Sequence, residues 1–173
     1  MKVLFISLLV IVLTSGFSYG FSLEAPLEEA LLKGNWEEVF QRLQKDEAKA
    51  DNAVARLIMA HAALAANRSN LSMALFRSVR EQADLNLWSE WTRSLLGGNP
   101  ANPVALYLAA DSDARQGKLK EAIDRLTQAL KIKEDFALAY SARGVIYVLT
   151  NDVGDNALMD FFQHDSYIAA VKY

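Results

Sequence analysis

The sequence predicts an all-α fold in which helix–turn–helix pairs stack along the chain. From Leu23 onward, apolar residues recur at helical spacing, and alternating runs bounded by hairpin turns are nearly absent. Ala and Leu, both strong helix formers, dominate this region. Turn signals also recur, since Gly117 and Asn151 lie 34 residues apart. Such a period is typical of a solenoid of stacked helices.

The first 20 residues have the pattern of a secretory signal peptide. Lys2 precedes an apolar run over residues 3–13, and small or polar residues then lead to Gly20. We expect cleavage after Gly20, with cleavage after Gly16 as the second choice. The run is shorter than the about 20 residues that a spanning helix needs. The alternative is an uncleaved N-terminal anchor formed by residues 3–21.

Cysteine is absent, which excludes disulfides, Cys-based metal sites and a lipid-modified Cys after the signal. A domain of this size can bury enough apolar surface to fold without such crosslinks. The chain of 173 residues has a formal net charge of −3 and a pI of about 5.4. We therefore expect no strongly basic face and no nucleic-acid partner. We expect an exported protein, either periplasmic or secreted.

The predicted helices follow one another with short polar turns between them. Pro26 suits the first turn of the opening helix, which we expect to end near Lys33, before a turn at Gly34-Asn35. Asn102 is expected to cap a later helix, with Pro103 at its first position. The further helices are expected at about residues 36–46, 53–66, 71–82, 85–96, 102–116, 118–133, 136–150 and 155–172.

The segment 85–96 interrupts the repeat. The turn centres Gly34, Asn67 and Gly117 are separated by 33 and then 50 residues, and the second interval exceeds the period by about one helix and a turn. We therefore assign 85–96 as an extra helix. Its two tryptophans, Trp88 and Trp91, lie on an apolar stripe and are expected to belong to the core.

Two motifs near the C-terminus share a pattern of small residues flanked by large ones. They are Ala122-x3-Leu126-x2-Ala129 and Tyr140-x2-Arg143-Gly144-x2-Tyr147. In these motifs the chain resembles the tetratricopeptide repeat (TPR) family, in which the small residues lie where paired helices approach closely. The resemblance implies a TPR-like right-handed superhelical solenoid over residues 21–173, with its clearest repeats at 102–165.

The resemblance also implies a concave groove lined by the first helix of each pair. Members of the family that clamp a terminal carboxylate use Lys, Arg and Asn there, and these are missing at the corresponding places here. The groove should instead suit an amphipathic helix or an extended apolar peptide. The alternative is that the chain's own extra or C-terminal helix fills it. By register, the groove residues are Leu57, His61, Leu64, Tyr107, Asp111, Ser141 and Val145.

The sequence contains no recognisable catalytic or cofactor-binding pattern. His61 and His164 are more than 100 residues apart and belong to no zinc-binding cluster. P-loop, G-x-S-x-G and G-x-G-x-x-G patterns are missing. We therefore predict an exported, non-catalytic scaffold or adaptor that binds protein or peptide and needs neither a cofactor nor a small-molecule substrate. The alternative is a structural or assembly subunit of an envelope complex, anchored at the membrane by an uncleaved N-terminal helix.

The segment after Asp155 is predicted to be a helix with apolar residues on more than one side, so that a single core contact cannot bury them all. An exposed patch of that kind indicates an interface. We expect a homodimer through this end, or docking of the helix onto a partner or into its own groove. The apolar residues are Leu158, Met159, Phe161, Phe162, Tyr167, Ile168, Val171 and Tyr173.

Cleavage after Gly20 is tested by the intact mass of the native protein. We expect the mass of residues 21–173, because the pattern around Gly20 is that of a signal-peptidase site. A mass that includes residues 1–20 would contradict cleavage and favour the anchored alternative.

Overall fold

The computed structural model describes residues 21–46, 49 and 51–150, so the predicted signal peptide and C-terminal helix lie outside the described residues. Within these ranges every regular element is an α-helix, which confirms the predicted all-α class. None of these helices is both long and apolar enough to cross a membrane. The helices are α1 Ala25–Leu32, α2 Trp36–Lys45, α3 Ala53–Ala65, α4 Ser69–Ser78, α5 Gln82–Gly98, α6 Pro103–Arg115, α7 Leu119–Ile132 and α8 Ala137–Leu149.

Three helix pairs share one turn geometry. Gly34, Asn67 and Gly117 follow α1, α3 and α6 with positive φ angles of 75°, 59° and 76°. At each turn the next N–H donates to the carbonyl oxygen five residues earlier, the arrangement of a Schellman motif. Glycine adopts this left-handed conformation freely and asparagine with little strain. The three bonds are Asn35 N to Ala30 O at 2.9 Å, Arg68 N to Ala63 O at 2.8 Å and Lys118 N to Asp113 O at 2.9 Å.

Asn102 caps α6, as predicted, and also links α6 to α1. Its Oδ1 accepts hydrogen bonds from the backbone N–H groups of Val104 and Ala105 at 2.9 and 3.1 Å. Its Nδ2 donates to the carbonyl oxygen of Leu32 at 3.0 Å. Asn52 caps α3 in the same way, since its Oδ1 accepts hydrogen bonds from the backbone N–H groups of Val54 and Ala55. The side chain of Asn102 therefore caps the start of α6 and joins it to the end of α1.

The helix α6 lies at the centre of the described fold. It forms a hairpin with α7 and also contacts α1, α5 and α8, while α5 packs against α3 as well. Residues 104–110 are all buried, so α6 is covered on every side and not on a single stripe. Ala122 and Gly144 are also buried, as the close approach of paired helices predicts.

The extra helix is longer than predicted, and the helix before it is shorter. Helix α5 begins at Gln82 and keeps Gly97 and Gly98 in its last turn, ending just before Asn99-Pro100. A residue before a proline, here Asn99, is disfavoured in the α-helical region of backbone conformation, so α5 ends before it. Helix α4 ends at Ser78 because Val79 adopts an extended conformation that buries its side chain in the core.

The left-handed turn at Gly117 can be tested against a glycine inside a helix. An added Cβ would meet nothing within 4 Å at either Gly117 or Gly97, so the two sites differ in backbone conformation alone. We expect Gly117→Ala to lower the free energy of unfolding by about 1–2 kcal/mol, because an L-residue is strained at positive φ. Gly97→Ala should raise it by about 0.5–1 kcal/mol, since alanine is the better helix former. Urea denaturation measures the free energy of unfolding of both variants. Changes of the same sign would contradict the left-handed turn assigned to Gly117.

Candidate functional site

Helices α3 and α6 bring together His61, Tyr107 and Asp111, three of the residues predicted to line the groove. The Nδ1 atom of His61 lies 2.8 Å from the hydroxyl oxygen of Tyr107. Its Nε2 atom lies 3.5 Å from Oδ2 of Asp111. Tyr107 and Asp111 are four residues apart on α6 and therefore share a face of that helix. His61 thus contacts two groups of α6 through its two ring nitrogens.

The carboxylate of Asp111 is the meeting point of this polar network. Its Oδ2 atom accepts a hydrogen bond from Nε1 of Trp88 at 2.9 Å and another from Nε of Arg115 at 2.7 Å. Trp88 belongs to α5 and Arg115 to the next turn of α6. Asp111 therefore joins α5 to α6 and, through the nearby His61, approaches α3. Because Arg115 is four residues after Asp111, its pairing could have been predicted from the sequence.

Aromatic rings enclose the network. His61 stacks on Trp88 with ring centroids 5.9 Å apart and an angle of 18° between the planes. The rings of Phe76 and Tyr107 meet His61 edge-on, at 5.0 and 5.1 Å. The guanidinium carbon of Arg115 lies 4.9 Å from the centroid of Phe76. His61 is consequently buried between helices α3, α4, α5 and α6.

The charges of the network are set by burial and by ion pairing. Burial alone would raise the pKa of Asp111, but the nearby His61 and the hydrogen-bonded guanidinium of Arg115 outweigh it and hold that pKa below its ordinary value. Burial, helped by the charge of Asp111 and opposed by Arg115, raises the pKa of Tyr107 above its ordinary value. Asp111 is therefore a fixed anionic acceptor and Tyr107 a neutral hydroxyl at physiological pH. This arrangement suits positioning of groups better than proton transfer.

The predicted groove is not open along its whole length. Leu57, His61 and Tyr107 are buried, so the expectation that all seven residues line an accessible groove is wrong for these three. Leu57 is part of the hydrophobic core, and Trp88 of the extra helix covers His61. Tyr107 packs between two aromatic side chains, Trp36 of α2 and Phe136 just before α8.

The other groove residues keep contact with solvent. Asp111 and Ser141 are half-buried, whereas Leu64 is 37% exposed and Val145 is 48% exposed. The structure thus divides the predicted site into a buried part between α3 and α6 and an accessible part that includes Val145 on α8. Contact of any of the seven residues with a partner stays a prediction.

Elsewhere in the described ranges, several titratable residues form ion pairs at the surface. Lys33 donates to Glu29 at 2.6 Å, and Arg68 donates to both carboxylate oxygens of Glu37 at 2.8 and 3.0 Å. Among the described residues, no group of three or more His, Asp or Glu side chains is arranged to hold a metal ion.

Residues 110–151 match a family model described as TPR repeat, which covers the end of α6 together with α7 and α8. The predicted resemblance to the tetratricopeptide repeat family is confirmed over this part of the chain. The matched segment lies within the all-helical stack that the described residues form.

Solved structures of MamA are similar to this chain. One crystal structure of MamA is 16% identical, with 88% of this chain and 100% of that chain covered and a TM-score of 0.45. MamA from Desulfovibrio magneticus RS-1, residues 41 to the end, is 15% identical, with 84% and 92% covered and a TM-score of 0.43. No curated protein sequence matches the chain.

The charge of Asp111 should make stability depend on acid pH. The pKa of Asp111 in the folded state is below its ordinary value of about 3.9. The ionised carboxylate therefore contributes fully to the free energy of unfolding above about pH 3.9, and this contribution is lost progressively as the pH falls toward the folded-state pKa. We expect the free energy of unfolding to fall more between pH 6 and pH 3 in the wild type than in Asp111→Asn. Denaturation in urea at the two pH values measures this difference.

Asp124→Asn is the matched control, because Asp124 is an exposed aspartate on α7. This variant should keep the acid sensitivity of the wild type. Equal acid sensitivity in Asp111→Asn and the wild type would contradict the role assigned to the Asp111 carboxylate.

Proposed function

We propose that this protein is an exported, non-catalytic scaffold or adaptor that binds a protein or peptide. The observation that carries the proposal is the tetratricopeptide repeat at residues 110–151, within a stack of paired helices. Repeats of this kind present extended surfaces to protein partners. Export is supported by the signal-peptide pattern of residues 1–20.

The accessible face of α8 is the part of the repeat best suited to a partner. Val145, Val148 and Leu149 are spaced i, i+3 and i+4, so they share one side of the helix. All three are exposed, and Leu149 reaches 66%. Ser141 lies one turn earlier on the same side. An apolar stripe with a polar end suits the apolar face of an amphipathic helix.

The chemistry of the buried network supports the non-catalytic part of the proposal. The carboxylate of Asp111 is already hydrogen-bonded by Trp88 and Arg115, and the hydroxyl of Tyr107 already meets His61. Catalytic acids and bases need pKa values near the working pH. The shifts of Asp111 and Tyr107 move their pKa values away from neutrality in both cases.

The binding face is tested by charge substitution on α8. Val145→Asp with Val148→Asp should abolish capture of the partner, because two carboxylates would be buried without counter-ions in the complex. Helicity and the melting temperature should change little, since both side chains are exposed. The measurement is co-purification from the native envelope fraction, followed by mass spectrometry and circular dichroism.

Ile132→Asp provides the control, because Ile132 is comparably exposed (51%) at the end of α7. It should capture the same proteins as the wild type. Capture by the double variant at the wild-type level would show that the α8 face is not the binding surface, and a wild-type protein that captures nothing specific would refute the scaffold function.

A further inference from the structure

The four residues before α1 pack against α5 and the core. Phe21 is half-buried, and its ring meets that of Trp91 edge-on, with centroids 6.2 Å apart. Leu23 is 8% exposed and belongs to the main hydrophobic core. Glu24 is the extended N-cap residue from which α1 starts. The residues that directly follow the predicted cleavage position are therefore part of the fold.

Phe21 is the outer end of a series of ring contacts that leads into the polar network. Trp91 stacks on Trp88, with centroids 5.4 Å apart and an angle of 21° between the planes. Trp88 in turn stacks on His61 and donates its indole N–H to Asp111. Rings in edge-on and offset-stacked arrangements attract each other beyond the area that they bury. Phe21 therefore joins the N-terminal segment to the helix that supplies the tryptophan of the network.

Phe21 and Glu28 line one cavity of about 170 Å³ between α1 and α5. Trp91, Ser94 and Leu95 of α5 line its other side. Glu28 is half-buried and belongs to the first turn of α1. Of the described residues that line this cavity, Glu28 alone carries a charge. A carboxylate and the first residue after the predicted cleavage position therefore face the same enclosed space.

The carboxylate of Glu28 differs from its acidic neighbours on α1, which have cationic partners. Oε1 of Glu24 lies 3.9 Å from Nζ of Lys49, and Oε1 of Glu29 lies 2.6 Å from Nζ of Lys33. Within the described ranges, no ion pair includes Glu28. A charge that is partly removed from water is stabilised when an opposite charge lies near it. The cavity is therefore suited to a small cationic group beside Glu28.

Removal of the signal peptide creates such a group at Phe21. Hydrolysis of the Gly20–Phe21 amide consumes one water molecule, whose hydroxyl goes to the carbonyl carbon of Gly20 and whose proton goes to the nitrogen of Phe21. The new carboxyl group then loses its proton, and the new amine takes one up. An α-amino group is mostly an ammonium at neutral pH, because its ordinary pKa is about 7.7–8.0. Cleavage after Gly16 would instead place this charge four residues away, up to about 14 Å along the chain.

We propose that the cavity between α1 and α5 is the binding site of the mature N-terminus, where the ring of Phe21 packs on Trp91 and its α-ammonium pairs with Glu28. Removal of the signal then completes the folded domain, because the uncleaved chain has a neutral amide in place of the charge. The proposal rests on the export part of the proposed function and not on the identity of a partner.

The pKa of the α-amino group tests the ion pair in the mature chain of residues 21–173. We expect this pKa to exceed the ordinary range by at least about 0.5, since a nearby carboxylate favours the charged form. Glu28→Gln should return it to about 7.7–8.0. Glu29→Gln is the matched control, because Glu29 is paired with Lys33 and does not line the cavity, and it should leave the pKa raised. The pH dependence of reaction with an amine-selective reagent measures it, and an ordinary pKa in the wild type would overturn the proposal.

The ring contact is tested separately by thermal unfolding of the mature chain. Phe21→Ala keeps the α-ammonium but removes the ring from Trp91, and should lower the Tm by about 2–4 °C. Ser22→Ala is the control at an exposed neighbouring residue and should leave the Tm unchanged. Equal Tm values in Phe21→Ala and the wild type would overturn the packing assigned to the terminal residue.

A chain of residues 17–173, the product of cleavage after Gly16, separates the position of the charge from the contacts of the side chains. It keeps Phe21 and Glu28 but carries its ammonium four residues earlier, so we expect an ordinary α-amino pKa and a lower Tm than in the chain of residues 21–173. Equal values in the two chains would overturn the proposal. So would an intact mass of the native protein that includes residues 1–20, whereas failure of partner capture would count against the scaffold function alone.

Discussion

The hydrogen bonds to one carboxylate oxygen of Asp111 join α5 to α6, the helix at the centre of the described fold. A buried charge destabilises a fold unless it is paired and hydrogen-bonded. Arg115 supplies the opposite charge from the same helix, and Trp88 supplies a neutral donor from α5. Because the second donor comes from another helix, satisfying the charge also fixes the position of α5. The aromatic enclosure of His61 follows from that position.

The extra helix changes what a repeat protein of this kind presents to solvent. In a regular solenoid each repeat contacts only its neighbours, and the concave face stays open. Here α6 also contacts α1, through Asn102 and Leu32 among others, and α5 packs on both α3 and α6. The groove position His61 is thereby buried beneath Trp88. The exposed apolar stripe lies on α8, beyond the part that α5 covers.

This arrangement divides the domain into two parts with different properties. The part from α6 to α8 carries the tetratricopeptide match and the accessible apolar face. The part from α1 to α5 contributes His61 and Trp88 to the polar network, which is centred on Asp111 of α6. The difference between the two parts arises from one inserted helix.

The sequence by itself determined the local features of this protein. The turns at Gly34, Asn67 and Gly117 and the cap at Asn102 could be predicted, because backbone conformation and capping depend on neighbouring residues. Helical periodicity likewise identified which residues share a face. It could not identify what packs on that face, and for this reason the accessibility expected of His61 and Tyr107 was wrong. The contacts of Asp111 with Trp88 and His61 join residues far apart in the chain, so only the tertiary structure decided them.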